Sequence, residues 1–522
     1  MLSELGMLAG YATGIVPYLR DRLDVARCRE LIARGRAQRD DTFLVLLERA
    51  VFRNPTSPYL PLLQHAGIEH GDVAQLVRRD GVESALADLY DAGVRLAIDE
   101  WKGRQPVRRN GFELPFRHEA AVNPLVAGRF ETVSGGSSGE PRSVLVNFPF
   151  LTQLTMYHGA FLDAFGVGER PTALWYPVPP SVAGLTNVLP NLKLGRPIAR
   201  WFTQIPVTQR PGVARRMALT GGAYLAGRIA GAGFRYPEHT PADLALRVAR
   251  WAHRTGEAGT PGLLQCTPSS GVRVCRAARD AGLDLAGTIF RFGGEALTAG
   301  KAEAVAESGA TAGCQYFIEG GQPGIACADP VAPGDVHLAE DSFALIRRPG
   351  ENGAGHSQAL VLTSVSPSTP KVLLNVEIGD EAVVVERDCG CSTGELGLRR
   401  HLHTIRSYEL FTSEGMSIRG VELAALVDDV LPGRFGGHAT DYQFSEEEQG
   451  ELSRVRLLVS PAVGAIDERA VVEAVYGYLA AQGRSEAMMS DVWRGAGTLE
   501  VVRARPHVTS ASKTPPLYRL RG

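Results

Sequence analysis

Three glycines and three serines crowd into the nine residues 134–142, SGGSSGEPR, and the stretch ends on an arginine. Glycines let backbone N–H groups turn toward an anion without interference from a Cβ, serine hydroxyls add donors, and Arg142 adds charge. That is chemistry for gripping phosphate. A plain surface turn has the same composition, so the stretch alone leaves both readings open. It lacks the GxxxxGK[ST] spacing of a Walker loop. A second constellation is Cys327, His337, Cys389 and Cys391. Cys389-Gly390-Cys391 can present two thiolates from one turn, and Cys327 and His337 bracket a loop rich in proline and glycine. Three sulfurs and one imidazole match a closed structural zinc set. The spacing is tighter than C-x₂-C, and four unrelated residues, with the cysteines acting as small apolar groups, remain the alternative. No G-x-S-x-G elbow is present, which argues against a hydrolase triad. Cys266 and Cys275 have no identifiable activating partner, and His158 reads as a packed or surface histidine rather than a base.

These groups need a scaffold, and 522 residues are enough for two to four domains. Hydrophobic content of 44% with 21% charged residues is that of a soluble globular chain. A formal net charge of −2 excludes a global attraction to nucleic acid or to an acidic membrane. The basic clusters at 34–39 and 210–216 are broken by neutral residues and read as solvated helix faces. The apolar run 7–19 is too short to span a bilayer and has no basic segment before it, so a cytoplasmic protein is expected. Seven cysteines in a chain of this length form no disulfide framework.

Apolar residues three or four apart predict helices over 25–52 and 73–101. From about residue 112 short β-rich runs take over. A strand at 143–148 is followed by a helix at 151–165, and Thr240 before Pro241 signals a helix over 241–254. Strands at 263–265, 287–292 and 311–316 alternate with helices at 271–281 and 299–308, which predicts an α/β architecture with parallel sheet. Shorter strands at 344–345, 359–363 and 382–386 suggest a smaller β-rich unit. Beyond about residue 408, a strand at 455–459, a helix at 467–482 and a strand at 498–502 describe a small α+β domain.

Taken in order, the loop at 134–142, Thr267-Pro268-Ser269, Gly293-Gly294-Glu295-Ala296-Leu297, the stretch 316–319 and Gly379-Asp380 resemble the motifs of the adenylate-forming superfamily. That superfamily includes acyl-CoA synthetases, nonribosomal adenylation domains and luciferases; the likeness runs from about residue 112 to the C-terminus and is nearest the phenylacetate–CoA ligase branch. The helical region at 1–111, packed on or part of the large domain, is explained by no motif; the resemblance implies an adenylate-forming core at 112–405 and a small mobile C-terminal domain at 406–522. It implies that Ser134, Gly135, Gly136, Ser137, Ser138, Gly139 and Arg142 hold the ATP phosphates. Gly294 and Glu295 would border adenine, Tyr316 and Phe317 would lie beside the nucleotide, Glu319 would bind magnesium and Asp380 the ribose hydroxyls. The run IRSYELFTSEGMSIRG at 405–420 resembles the interdomain hinge, with Arg406 as its arginine, and TSASKTPPL at 509–517 resembles the catalytic lysine loop, with Lys513 as the lysine. Some members of the branch carry a similar Cys…His…CxC arrangement.

Two departures stand out. Ile318 replaces a threonine hydroxyl that normally meets phosphate, and Tyr408-Glu409 replace two hinge aspartates. The implied activity is ATP-dependent, AMP-forming activation of a small, aromatic carboxylic acid, followed by transfer to a thiol such as CoA. Transfer to an amine, a hydroxyl or a carrier-protein thiol is the alternative acceptor chemistry. A catalytically silent nucleotide-binding homologue is the alternative from another class. Trp175-Tyr176-Pro177 and Trp201-Phe202 read as core, or else as lining for a ring-bearing acid. Neither a nucleic-acid nor a membrane partner is expected.

Overall fold

Fully buried strands separated by helices dominate the middle of the chain, the pattern of a sheet covered on both faces. The computed structural model describes residues 4–126, 130–133, 143–179, 181–208, 213–348, 358–407, 410–413, 416–419, 423, 426–449, 452–482, 484–507 and 517–519. Helices α1 (Glu4–Arg20) and α2 (Val25–Ala37) come first, the second capped by Asp24, which accepts from the Arg27 amide at 2.7 Å. They pack against α3 (Phe148–Ala164) and α4 (Val182–Lys193). Cys28 of α2 lies so near Gly159 of α3 that a Cβ there would come within 2.7 Å of its sulfur.

The parallel sheet comprises β1 (Thr172–Trp175), β2 (Ile198–Thr203), β3 (Glu238–His239), β4 (Leu263–Cys266), β5 (Ile289–Phe292) and β6 (Thr311–Cys314). Their spatial order is β6-β5-β4-β1-β2-β3, all neighbours parallel. One face carries α3 and α4. The other carries Ala245–Glu257 and α5 (Pro268–Asp280), where Phe290 and Phe292 meet Val274 and Ala278 in one core. The helix expected over 241–254 opens instead as a 3₁₀ turn at Ala242–Leu244, because the Thr240 hydroxyl donates to the Glu238 carbonyl rather than capping.

A seven-stranded antiparallel sheet follows, made of β7 (Tyr316–Ile318), β8 (Gly321–Ala326), β9 (Val336–Leu338), β10 (Phe343–Arg348), β11 (Gln358–Ser364), β12 (Val376–Glu386) and β13 (Arg400–Ser407). Its order is β7-β8-β9-β13-β12-β11-β10. Helices between residues 39 and 101 bury Phe43, Leu47, Val77 and Leu86 in one core with Leu345, Leu360 and Val376 of this sheet. The N-terminal hundred residues are thus divided between two cores. Arg39, expected on a solvated face, is mostly buried and grips Glu83 with two bonds of 2.7 and 2.8 Å. It has to be buried because α2 and the following helix wrap onto the β-rich sheet.

The C-terminal domain is a four-stranded sheet in the order β16-β15-β14-β17, from β14 (Tyr442–Gln449), β15 (Leu452–Val459), β16 (Leu499–Arg503) and β17 (Leu517–Arg519). Its core joins Phe444 and Leu457 to Val475 and Leu479 of α6 (Glu468–Gln482) and Trp493 of α7 (Arg484–Ala496). Arg273 of α5 donates to the Ala496 carbonyl at 2.8 Å, touching the two domains together. Among the described residues no helix is long and apolar enough to cross a membrane.

Candidate functional site

Parallel strands deliver their C-terminal ends to one edge of a sheet, and ligands of open α/β folds bind there. At that edge β1 leads into Tyr176, β4 into Thr267, β5 into Gly293 and β6 into Gln315. Thr267 caps α5 by accepting from the Ser270 amide at 3.3 Å. Glu295 then ties β5 to that helix. Its Oε2 accepts from the Ser269 amide at 3.0 Å and the Ser269 hydroxyl at 2.7 Å, and lies 3.2 Å from Lys301 Nζ. The Glu295 side chain is almost wholly buried, so its role is to hold the Gly293-Gly294 backbone in place. Gly294 has φ +87°, a conformation that favours glycine. A Cβ on Gly293 would lie 3.2 Å from the Phe317 ring and 3.6 Å from the Tyr176 hydroxyl, so the backbone, Phe317 and Tyr176 form one surface.

The antiparallel sheet supplies the facing side. Tyr316 donates its hydroxyl to Asp380 Oδ2 at 2.6 Å. Asp380 sits inside the eleven-residue strand β12 rather than in a turn, just after Gly379, whose φ of +88° and a neighbouring register shift kink the strand. Burial pushes the Tyr316 hydroxyl well above its usual pKa, with the Asp380 charge adding to the rise, so it stays a donor. Ser407 is the register partner of Asp380 and Arg406, which is exposed, that of Glu381.

Glu319 lies between two lysines. Its Oε1 accepts a short bond from Lys371 Nζ, and Lys102 Nζ is 3.8 Å from Oε2. All three side chains are nearly buried. Two ammonium groups beside the carboxylate disfavour a bare divalent cation there, because they repel it. Ile318 packs partly against the core of the antiparallel sheet.

The four residues Cys327, His337, Cys389 and Cys391 converge, their ligand atoms all within 4.8 Å of one another. His337 Nε2 is 3.1 Å from Cys391 Sγ and 3.6 Å from Cys389 Sγ, and the two sulfurs are 3.4 Å apart. Tetrahedral bonds of about 2.3 Å to sulfur and 2.0 Å to nitrogen require edges of about 3.5–3.8 Å, so the set fits zinc after slight relaxation. His337 is fully buried and its Nδ1 donates to the Leu398 carbonyl at 2.7 Å, which leaves the Nε2 lone pair facing the thiols. Arg387 and the Asp329 amide donate to Cys327 Sγ at 3.3 and 3.4 Å. The Cys391 thiol is pulled down to about 2 by the bond from Cys327 and then by His337, against the effect of burial. Gly394 is needed beside it, because a Cβ there would fall 2.8 Å from Cys389 Sγ. A second grouping, Cys327, Asp335 and His401, shares Cys327. Its Asp335 is already bonded to Arg387 at 2.8 Å and His401 at 2.9 Å, which makes this group a brace for the first.

No protein-family model matches the sequence, and no curated protein matches it. Solved structures do. The chain superposes on a 2-hydroxyisobutyryl-CoA ligase, held with 2-HIB-AMP and CoA in its thioesterification state, with a TM-score of 0.53 at 13% identity, covering 96% of this chain and 91% of that one. This chain has the adenylate-forming fold. More distant matches are the amide bond synthetase McbA of Marinactinospora thermotolerans (13% identity, 96% and 98% covered, TM-score 0.43) and the anthranilate-CoA ligase AuaEII (12%, 83% and 74%, TM-score 0.35). At those scores the two add no weight.

Within the adenylate-forming fold, Gly294, Glu295, Tyr316, Phe317, Glu319 and Asp380 lie around the junction of the two sheets. Ser134, Gly135, Gly136, Ser137, Ser138, Gly139, Arg142, the hinge pair Tyr408-Glu409 and Lys513 lie outside the described residues. Lys102, Lys371 and Tyr176 were not among the residues singled out as nucleotide neighbours. No spacing marks them: Lys102 arrives from the N-terminal helical region, and Lys371 from the turn between β11 and β12.

Proposed function

We propose that the protein activates a carboxylic acid as its acyl-adenylate at the expense of ATP, in an aryl-acid branch similar to the phenylacetate–CoA ligases, and passes the acyl group to a thiol such as CoA. The observation that carries this is the convergence of Gly293-Gly294, Phe317 and the Tyr316–Asp380 pair at the C-terminal edge of the parallel sheet, in a chain with the adenylate-forming fold. In this reading a substrate carboxylate oxygen attacks the α-phosphorus of ATP, the bond to the bridging oxygen breaks, and pyrophosphate leaves with the electron pair. Asp380, oriented by Tyr316, accepts from the ribose hydroxyls with its two oxygens. The Gly293-Gly294 backbone and Phe317 flank the adenine. Lys371 and Lys102, both beside Glu319, supply positive charge for phosphate oxygens. Lys513 supplies the charge that meets the attacking and bridging oxygens, and residues 134–142 the donors for the departing pyrophosphate. Magnesium would accompany ATP, bound through phosphate oxygens, with Glu319 available to it once phosphate competes for the two lysines.

Cys327, His337, Cys389 and Cys391 would hold a structural zinc, whose contribution is to crosslink the β8–β9 turn to the loop between β12 and β13. The cluster thereby steadies the strand that bears Asp380.

The pairing of Glu319 with two lysines, together with Ile318, favours one second reading: a nucleotide-binding homologue that does not adenylate. Acid-dependent pyrophosphate release over a panel of aryl and alkyl acids, with and without CoA, separates the readings. Release that depends on acid and collapses in Lys513→Ala supports the ligase. No release with any acid leaves the silent homologue, and release without CoA-ester formation points to an amine, hydroxyl or carrier-protein acceptor.

A further inference from the structure

Arg291 sits on the face of the parallel sheet covered by α3 and α4, and it is 4% exposed. That face is otherwise apolar, with Leu174, Leu263 and Ile289 packed beneath the helices. At one level across the strands, however, the register runs Leu174, Gln265, Arg291, Gly313. Two long polar side chains therefore stand side by side beneath α3 and α4. Gly313 is required at this level, since the rings of Phe161 and Phe165 fill the space where a Cβ would stand, at 2.8 and 2.5 Å.

The bonding of this cluster is incomplete. Arg291 donates one bond, to Asn187 Oδ1 at 2.7 Å, and its Nε has no partner. Neither end of the Gln265 amide has a partner, and Gln265 is fully buried. His158, also buried, lies 3.0 Å from Asn191 Oδ1 through Nε2. Asn191 Nδ2 is committed to the Asn187 carbonyl, so its Oδ1 accepts, His158 carries its proton on Nε2, and Nδ1 is left as an unpartnered acceptor. Burial first, and the Arg291 charge second, hold His158 well below its usual pKa, so it is neutral. Among the described residues no carboxylate pairs with Arg291. Among the described residues the titratable groups nearest it are Tyr176, Cys314 and His158, all neutral at pH 7; beyond Tyr176 and Cys314 lies the Glu295 carboxylate with Lys301 beside it, and Arg196 adds positive charge near His158. The cluster keeps a whole positive charge, with burial alone bringing the guanidinium down to about 10.

An isolated buried cation is strongly destabilising unless an anion joins it. Arg291 lies in β5, two residues before Gly293 just past the strand's end, roughly 7 Å away in extended chain. The cluster therefore lies one short molecule's reach from the backbone that borders the nucleotide. We propose that Arg291, with Gln265 and the His158–Asn191–Asn187 chain behind it, receives a second carboxylate at the far end of the substrate, so that the acid this site selects is a short aliphatic or aromatic dicarboxylic acid. Arg291 is then a specificity-determining residue, remote from the reacting carboxylate. The inference rests on the adenylation reading and narrows its substrate class.

The test compares matched pairs, hexanoate with adipate and benzoate with isophthalate, by ATP-dependent pyrophosphate release. The diacids are expected to exceed their monoacid partners in kcat/KM by at least about tenfold. Arg291→Leu is expected to invert that preference, and Arg291→Lys to keep its direction. Monoacids preferred by the wild type, or a preference for diacids unmoved in a folded Arg291→Leu, overturns the proposal. Should no acid release pyrophosphate, the adenylation reading fails by itself and thermal shift decides the anion site. Stabilisation of the wild type by adipate or isophthalate, absent in Arg291→Leu, upholds it; no stabilisation by either sinks it.

Discussion

Replacing Cys391 with serine tests the zinc assignment most directly. Cys391 Sγ lies 3.1 Å from His337 Nε2 and 3.4 Å from Cys389 Sγ, at the centre of the four-residue cluster. A serine hydroxyl stays protonated at neutral pH, so the substitution removes one anionic ligand and leaves His337 Nε2 facing a poor partner inside a fully buried pocket. Structural zinc sites bind with about 10–16 kcal/mol shared among four ligands, or about 3 kcal/mol each. At about 1.4 kcal/mol per decade that is a loss of about 100-fold in zinc affinity. Metal analysis of the purified wild type is expected to give one zinc per chain. Competition with a chelator of known affinity then reads the weakening in Cys391→Ser, while Cys28→Ser, whose thiol is buried beside α3, retains full zinc. Chelator should also lower the melting temperature of the wild type more than that of Cys391→Ser. Wild-type protein that is folded, nearly zinc-free and indifferent to chelator refutes the assignment.

Three further outcomes are expected. Tyr316→Phe removes a 2.6 Å bond to the Asp380 carboxylate, a type of bond worth about 1.5–3 kcal/mol; KM for ATP should rise roughly tenfold with kcat moved less, and an unchanged KM would take Asp380 away from the nucleotide. Asp341 is buried and its carboxyl is raised to about 6, desolvation outweighing the bonds from Tyr157 and Ser342. Its folded form thus holds a proton more readily than the unfolded chain does. Stability should fall as pH rises from about 4 to about 6 and level off above, a span of up to about 3 kcal/mol that urea titrations should find missing in Asp341→Asn. The bidentate Arg39–Glu83 pair, with side chains 16% and 26% exposed, should show a coupling of about 1–3 kcal/mol in a double-mutant cycle of unfolding; additive losses would mean that the N-terminal helices are held by apolar packing alone.

Much of the parallel sheet could be read from local pattern. The runs at 263–265, 287–292 and 311–316 and the helices between them match β4, β5, β6 and α5 to within a few residues, because a doubly covered strand is mostly apolar. The antiparallel strands were underestimated. Only 382–386 of β12 looked extended, because Gly379 and the alternation of charged with apolar residues disguise a strand half open to solvent. For the same reason nothing local to Asp380 marks the kinked strand that carries it beneath Tyr316. Arg39 was misplaced because a helix with arginines every few residues has no local mark for the one that faces inward.

By itself the chain's sequence determined the kind of fold and the order of its motifs, since strand burial, helix periodicity and glycine placement are properties of neighbouring residues. The four thiol and imidazole side chains that converge were also nameable, because few residue types could bind metal. The tertiary structure alone decided which charges meet. Glu319 finds Lys102 across 217 positions and Lys371 across 52, and Arg291 is brought beneath α3 and α4 with no carboxylate, among the described residues, to match it. Such encounters arise from sheet order and helix packing, and nothing within a residue's own segment encodes them.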